Sequence, residues 1–160
     1  MFEVDLLEFL NNATLGKITI GSSKHDVQEA FGTPVQLERW HPGHGIQPNA
    51  WIYSELFLGF RDENETVCVI GFCPRDSKTT GFGVGDQARL QARGIQFGMP
   101  IDQVDSILSE LDAPSAEGSR WEHGFLVKYP SGTTMIFQSS DGSKPPTLVE
   151  INCERLFAQN

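Results

Sequence analysis

The sequence is short of several things, and each shortage excludes something. It has no apolar run near the ~20 residues of a membrane-spanning helix, so no helical span is expected. Basic residues are few, 12 Lys and Arg against 21 Asp and Glu for a net charge of −9. No basic tail or patch is offered to phosphate, and nucleic acid is not an expected partner. The first ten residues, Met1 to Leu10, carry three acids and no base and do not read as a secretory signal. No lipid-attachment cysteine follows them, and a cytoplasmic location is the expectation. Cysteine is limited to Cys68, Cys73 and Cys153, an odd number without CxxC spacing, which reads as reduced, buried thiols. Catalytic signatures are missing as well: there is no GxSxG, HExxH, Walker A or EF-hand spacing.

What is present is enough for one compact unit. The 160 residues are 39% hydrophobic, and Phe supplies 11 of the aromatic side chains. That rules out wholesale disorder. Gly (16) and Pro (9) are plentiful, which favours many turns and many short elements.

Self-similarity runs through the chain. Ile18-Thr-Ile20-Gly21 with Val27, Ala30 and Phe31 matches Ile95-Gln-Phe97-Gly98 with Val104, Ile107 and Leu108 at a constant offset of 77 residues. Thr33-Pro34 answers Ala113-Pro114 after a short slip, and Trp51 and Trp121 each open a strand-like run. A repeat of this length sets the whole architecture. The expected fold is α+β: two tandem helix-helix-multistrand repeats, residues 1–84 and 85–160, with helices packed on one face of an antiparallel sheet of about eight strands.

Within the first copy, Phe2, Leu6, Phe9 and Leu10 predict an amphipathic helix ending near Asn11. Ser23 and Asp26 form a capping box for a second helix, closed by Gly32 and Pro34. In the second copy Pro100 suits a first helical turn, and Val104, Ile107, Leu108 and Leu111 form the buried stripe. The segment Gly81 to Asp86 lacks GxGxxG spacing and reads as a flexible joint between the copies.

Reading 51–60 as one strand puts Leu56, Leu58 and Phe60 on the helix side and leaves Trp51, Tyr53, Glu55 and Phe57 on the open side. In the second copy Phe125, Val127 and Tyr129 read as core, with Leu126, Lys128, Ile136, Glu150 and Asn152 opposite. Trp121 and Glu122 join the open face if the register allows. A helix-free sheet face with aromatics among charges has the composition of a protein-binding surface; cover by a loop or a dimer partner is the alternative. Trp40, His41 and His44, in a Pro- and Gly-rich loop, extend it. His41 and His44 lack a neighbouring Cys or acid at ligand spacing, so a mobile loop is preferred to a metal site. No metal or other cofactor is expected.

The pattern Gly21-Ser-Ser-x-x-x-Val27-x-x-x-Phe31-Gly32-x-Pro34, repeated as Gly98-Met-Pro-x-x-x-Val104-x-x-x-Leu108, resembles the unit of the beta-lactamase inhibitor proteins and the small outer-membrane assembly lipoproteins. The resemblance implies a continuous sheet whose concave face grips a partner protein. The inhibitors are stapled by disulfides and the lipoproteins are anchored, and neither feature is present, so the chain looks like a cytoplasmic relative of the kind used as immunity proteins. Function then reads as a non-enzymatic protein-binding module, with Trp51, Tyr53, Glu55, Phe57, Trp121, Glu122, Trp40, His41 and His44 at the interface. The partner is another protein, one of basic charge suiting a chain of −9. The chain itself is a monomer or homodimer. The alternative is a small-molecule- or metal-binding protein or hydrolase, with a pocket between the sheet and the His41 to Pro48 loop.

Overall fold

A computed structural model of the chain describes residues 2–39, 49–61, 63–139 and 144–155. In chain order the elements are β1 (Phe2–Asp5), α1 (Leu6–Asn12), α2 (Lys24–Phe31), β2 (Gln36–Arg39), β3 (Asn49–Tyr53), β4 (Leu56–Phe60) and β5 (Val67–Phe72). There follow β6 (Ala88–Gln91), α3 (Ile101–Glu110), β7 (Glu117–Trp121), β8 (Gly124–Lys128), β9 (Thr133–Gln138) and β10 (Thr147–Glu154). Eight strands make one antiparallel sheet in the order β2-β3-β4-β5-β10-β9-β8-β7. Strands β1 and β6 form a separate parallel pair.

Two tandem helix-helix-multistrand repeats are not what forms. The described residues contain three short helices, two before β2 and one before β7, alongside a parallel strand pair that such a repeat does not contain. The reason lies in residues 2–5. Val4 is buried and Phe2 half-buried with period two, and both sit on a strand that pairs with β6; the helical period starts only with Leu6, Phe9 and Leu10. Asp5 marks the change, since its carboxylate caps α1 by accepting from Leu7 N at 3.0 Å. The corresponding stretch of the second half supplies β6 and turns, and no helix precedes α3 there.

Local signals elsewhere hold. The Ser23–Asp26 capping box forms in both directions, and Gly32 ends α2 at φ 77°. Pro100 precedes the first turn of α3, whose Val104 and Leu108 are buried. Gly21 and Gly98, aligned at offset 77, both take positive φ, and their N–H groups donate to Val67 O and Leu148 O.

All three helices pack on one sheet face. Phe9 and Leu10 of α1, Val27 and Phe31 of α2 and Val104 and Leu108 of α3 share a single core with Leu56, Leu58, Phe60, Phe72, Met135, Phe137 and Ile151. Helix α1 belongs to the first half of the chain but docks on the second. Its carbonyls at Phe9 and Leu10 accept from Thr133 Oγ1 at 2.9 Å and Ser131 Oγ at 2.7 Å. The expected joint at Gly81 to Asp86 is anchored in this core by Phe82 and Val84. Phe82 sits between the rings of Phe72 (5.7 Å) and Phe97 (4.4 Å), and Gly83 O accepts from Leu56 N. Cys68 and Cys153 are buried free thiols, whereas Cys73 is exposed.

Candidate functional site

Two tight hairpins decide which side chains reach the helix-free face. The run 51–60 is broken by Ser54-Glu55, with Ser54 at φ 57°, so Tyr53 lies directly opposite Leu56 and Trp51 opposite Leu58. Cross-strand partners share a face. Trp51 and Tyr53 therefore face the helices with Leu56 and Leu58. Tyr53 is 1% exposed, packs on Phe31 at 5.6 Å and donates its hydroxyl to Gly32 O at 2.8 Å. Burial pushes its phenol well above the ordinary value. Trp51 is half-buried against Phe60 at 4.9 Å, with Lys24 Nζ 5.7 Å from its ring centroid. Neither is an open-face anchor.

Glu55 occupies the hairpin turn and is used by the fold. Its carboxylate accepts from Gly83 N at 2.9 Å and its carbonyl from Cys73 N. Phe57 does lie on the helix-free face but is only 7% exposed, its ring laid across Gly71, where a Cβ would stand 2.3 Å from the ring. With Ile52, Cys68 and Val69 it forms a small second apolar cluster. Burial is the main cause that lifts the Cys68 thiol to about 11. Among the described residues the expected Trp51–Tyr53–Phe57 patch does not form on this half of the face. Trp40, His41 and His44, and the pocket expected beneath their loop, lie outside the described residues.

The β10–β7 half is different. One cross-strand row reads Glu150–Ile136–Leu126–Ser119 and the next Asn152–Thr134–Lys128–Glu117. Leu126, Ile136, Thr134 and Glu150 are half-exposed, and Lys128, Glu117 and Ser119 are exposed. Trp121 ends β7 opposite Gly124, lies over it, and is one of the large hydrophobics left exposed, at 37%. Here too a hairpin, Glu122-His123, interrupts what reads as one run from Trp121 to Tyr129. Glu122 is exposed in that turn with His123 Nε2 at 3.7 Å.

Glu150 is the electrostatic centre of this half. Burial raises its carboxyl pKa above the usual value, and a hydrogen bond with Asn152 offsets part of that. The thiol of Cys73, the residue after β5, is raised first by partial loss of water around its sulfur and then by the charge of Glu150, although the residue as a whole is exposed. Among the described residues no group of three His, Cys, Asp or Glu side chains is placed to hold a metal ion. Sequence reasoning put Leu126, Ile136, Lys128, Glu150 and Asn152 on the correct face but gave the leading role to the first half. Glu117, Ser119 and Thr134 went unnoticed, the strand signal of 117–121 being hidden by its Gly, Ser and Arg, and Cys73, expected as a buried thiol, is exposed.

Compared with known protein families, curated proteins and solved structures, the chain matches none.

Proposed function

We propose that the chain is a non-enzymatic protein-binding module whose docking surface is the β10–β7 half of the helix-free sheet face. The observation that carries this reading is that Trp121, Leu126 and Ile136 stay partly open on adjacent antiparallel strands, in cross-strand rows that reach Glu150 beside Ile136. Aromatic and aliphatic anchors around a partly desolvated charge are the composition of an interface centre. A partner of basic charge suits both Glu150 and the net −9, and would be steered to the surface at low salt. An inhibitor or immunity protein acting on a basic toxin or enzyme fits that description.

Size constrains the docking. Four strands at ~4.8 Å spacing and about five residues of ~3.4 Å rise give a platform of roughly 19 by 17 Å. That is well below the ~800 Å² each partner buries in a standard interface. The partner therefore also uses the outer edge of β7 and the Glu122–His123 turn. Against acid–base chemistry stands the use of the Glu55 carboxylate by Gly83 N.

The test is a pair of variants, Trp121→Ala and Leu126→Asp, in affinity capture from cells of the source organism, with hydrogen exchange on the captured complex. Both are expected to keep the circular dichroism of the parent and to lose the captured partner, and β8 and β9 amides are expected to be protected in the parent complex. Capture unchanged in both variants refutes the reading. A homodimer in light scattering that becomes monomeric in Leu126→Asp replaces the foreign partner with a second copy.

A further inference from the structure

The sheet's other face carries a second feature, independent of the docking surface. Past the end of α3 the helix layer stops short of the sheet edge, leaving a cleft of about 480 Å³ between α3 and strands β7 and β8. The volume lies within the range of small-molecule sites, ~300–1,000 Å³. Asp105, Leu108 and Ser109, spaced i, i+3 and i+4, line it from the helix. The floor is apolar: Phe125 and Val127 are only half-buried, and the tip of the Phe125 ring reaches over Gly118, where an added Cβ would stand 2.5 Å from it. Tyr129 closes the inner end at 3% exposure, and its hydroxyl has the Met135 thioether, a weak acceptor, at 3.9 Å.

Asp105 is the one charged group in this lining. Among the described residues no Lys, Arg or His stands at ion-pair distance from it. Burial, and then the neighbouring Asp102, hold its carboxyl above the ordinary range, while burial lifts the Tyr129 phenol to about 12 with Asp105 adding to it. A cleft with a polar rim, an apolar floor and a single carboxylate without a counter-charge selects a ligand by charge and shape together.

We propose that this cleft binds a small apolar molecule carrying one protonated amine, the Asp105 carboxylate receiving the ammonium and the Phe125–Val127 floor receiving the apolar body. An ammonium supplies the missing counter-charge, and a flat or branched hydrocarbon part covers the half-open rings. A neutral analogue gains only the second contact. An anionic one is repelled.

The proposal is tested on the whole 160-residue chain by titration with 2-phenylethylamine and, separately, neutral 2-phenylethanol, followed by amide shifts in ¹H–¹⁵N spectra. Saturable shifts confined to α3, residues 113–118 and β8 are expected, with the amine bound about tenfold or more tightly than the alcohol. Asp105→Asn, at an exposed position, is expected to bring the amine down to the alcohol's affinity. Ser109→Trp, which fills the slot from the exposed helix surface, is expected to abolish both. Equal affinity for amine and alcohol, undiminished amine binding in either variant, shifts spread over the acidic surface, or no saturable binding would each overturn it.

Discussion

Tyr53→Phe removes one atom and distinguishes a structural tyrosine from a docking anchor. The hydroxyl is buried and donates to Gly32 O at 2.8 Å, the carbonyl of the residue that ends α2. Removing it leaves that carbonyl without its phenol donor in a dry setting, at a cost of about 1–3 kcal/mol. The ring itself stays, so contact with Phe31 is kept and no cavity opens. For an m-value of about 2 kcal/mol/M, that loss lowers the urea midpoint by roughly 0.5–1.5 M. Tyr53→Ala removes the ring as well and is expected to cost about 3–5 kcal/mol, a large share of the ~5–15 kcal/mol that holds a domain folded. Urea titration followed by circular dichroism and by tryptophan fluorescence reads both numbers, and coincident curves validate the two-state treatment. A Tyr53→Phe midpoint within 0.2 M of the parent would refute the burial and the hairpin register from which it follows. Capture of the partner by Tyr53→Phe is expected to be unimpaired.

Thr133→Val removes one of the two hydrogen bonds that tie α1 to the start of β9 and its turn. Since Phe9 O keeps its bond from Ala13 N at 2.8 Å, the expected cost is the smaller ~0.5–1.5 kcal/mol, read as a lower urea midpoint. Glu150→Gln tests the half-buried carboxylate. The folded carboxyl holds its proton more tightly than the ordinary value of 4.5, so the folded state binds more protons just above that pH and stability falls as pH rises through the window. Thermal denaturation across pH 4 to 8 is expected to show Glu150→Gln more stable than the parent at neutral pH and equal to it below pH 4.5. A variant less stable at pH 7 would mean that the ionised carboxylate is held by favourable partners.

Helix caps were the most legible part of the chain because their chemistry is local. Ser23 and Asp26 satisfy free amides three residues away, and Gly21, Gly32 and Gly98 supply positive φ that other residues resist. The face assignment of residues 125–137 was legible for a similar reason, since alternation within an uninterrupted strand carries its own parity. Residues 51–60 failed on that point. A two-residue reversal made of Ser54-Glu55 lacks the Asn-Gly or Asp-Gly signal, and missing it put Trp51, Tyr53 and Glu55 on the wrong side. Phe57 kept its side, but an exposed aromatic and one lying on a glycine from the next strand look alike in sequence.

By itself, then, the sequence determined the caps of α2, the proline start of α3, the acidic charge and the apolar stock from which a core is built. These depend on a residue and its near neighbours. Tertiary structure decided that residues 2–5 join β6 as a parallel strand, that α1 docks on the second half, and that Phe82 and Val84 join the core. It also decided that Trp121, Leu126 and Ile136 stay partly open on the β10–β7 half of the helix-free face and that a cleft remains beside α3. Each of these is a pairing between segments far apart in the chain, and its free energy comes from surfaces that do not exist until both are in place.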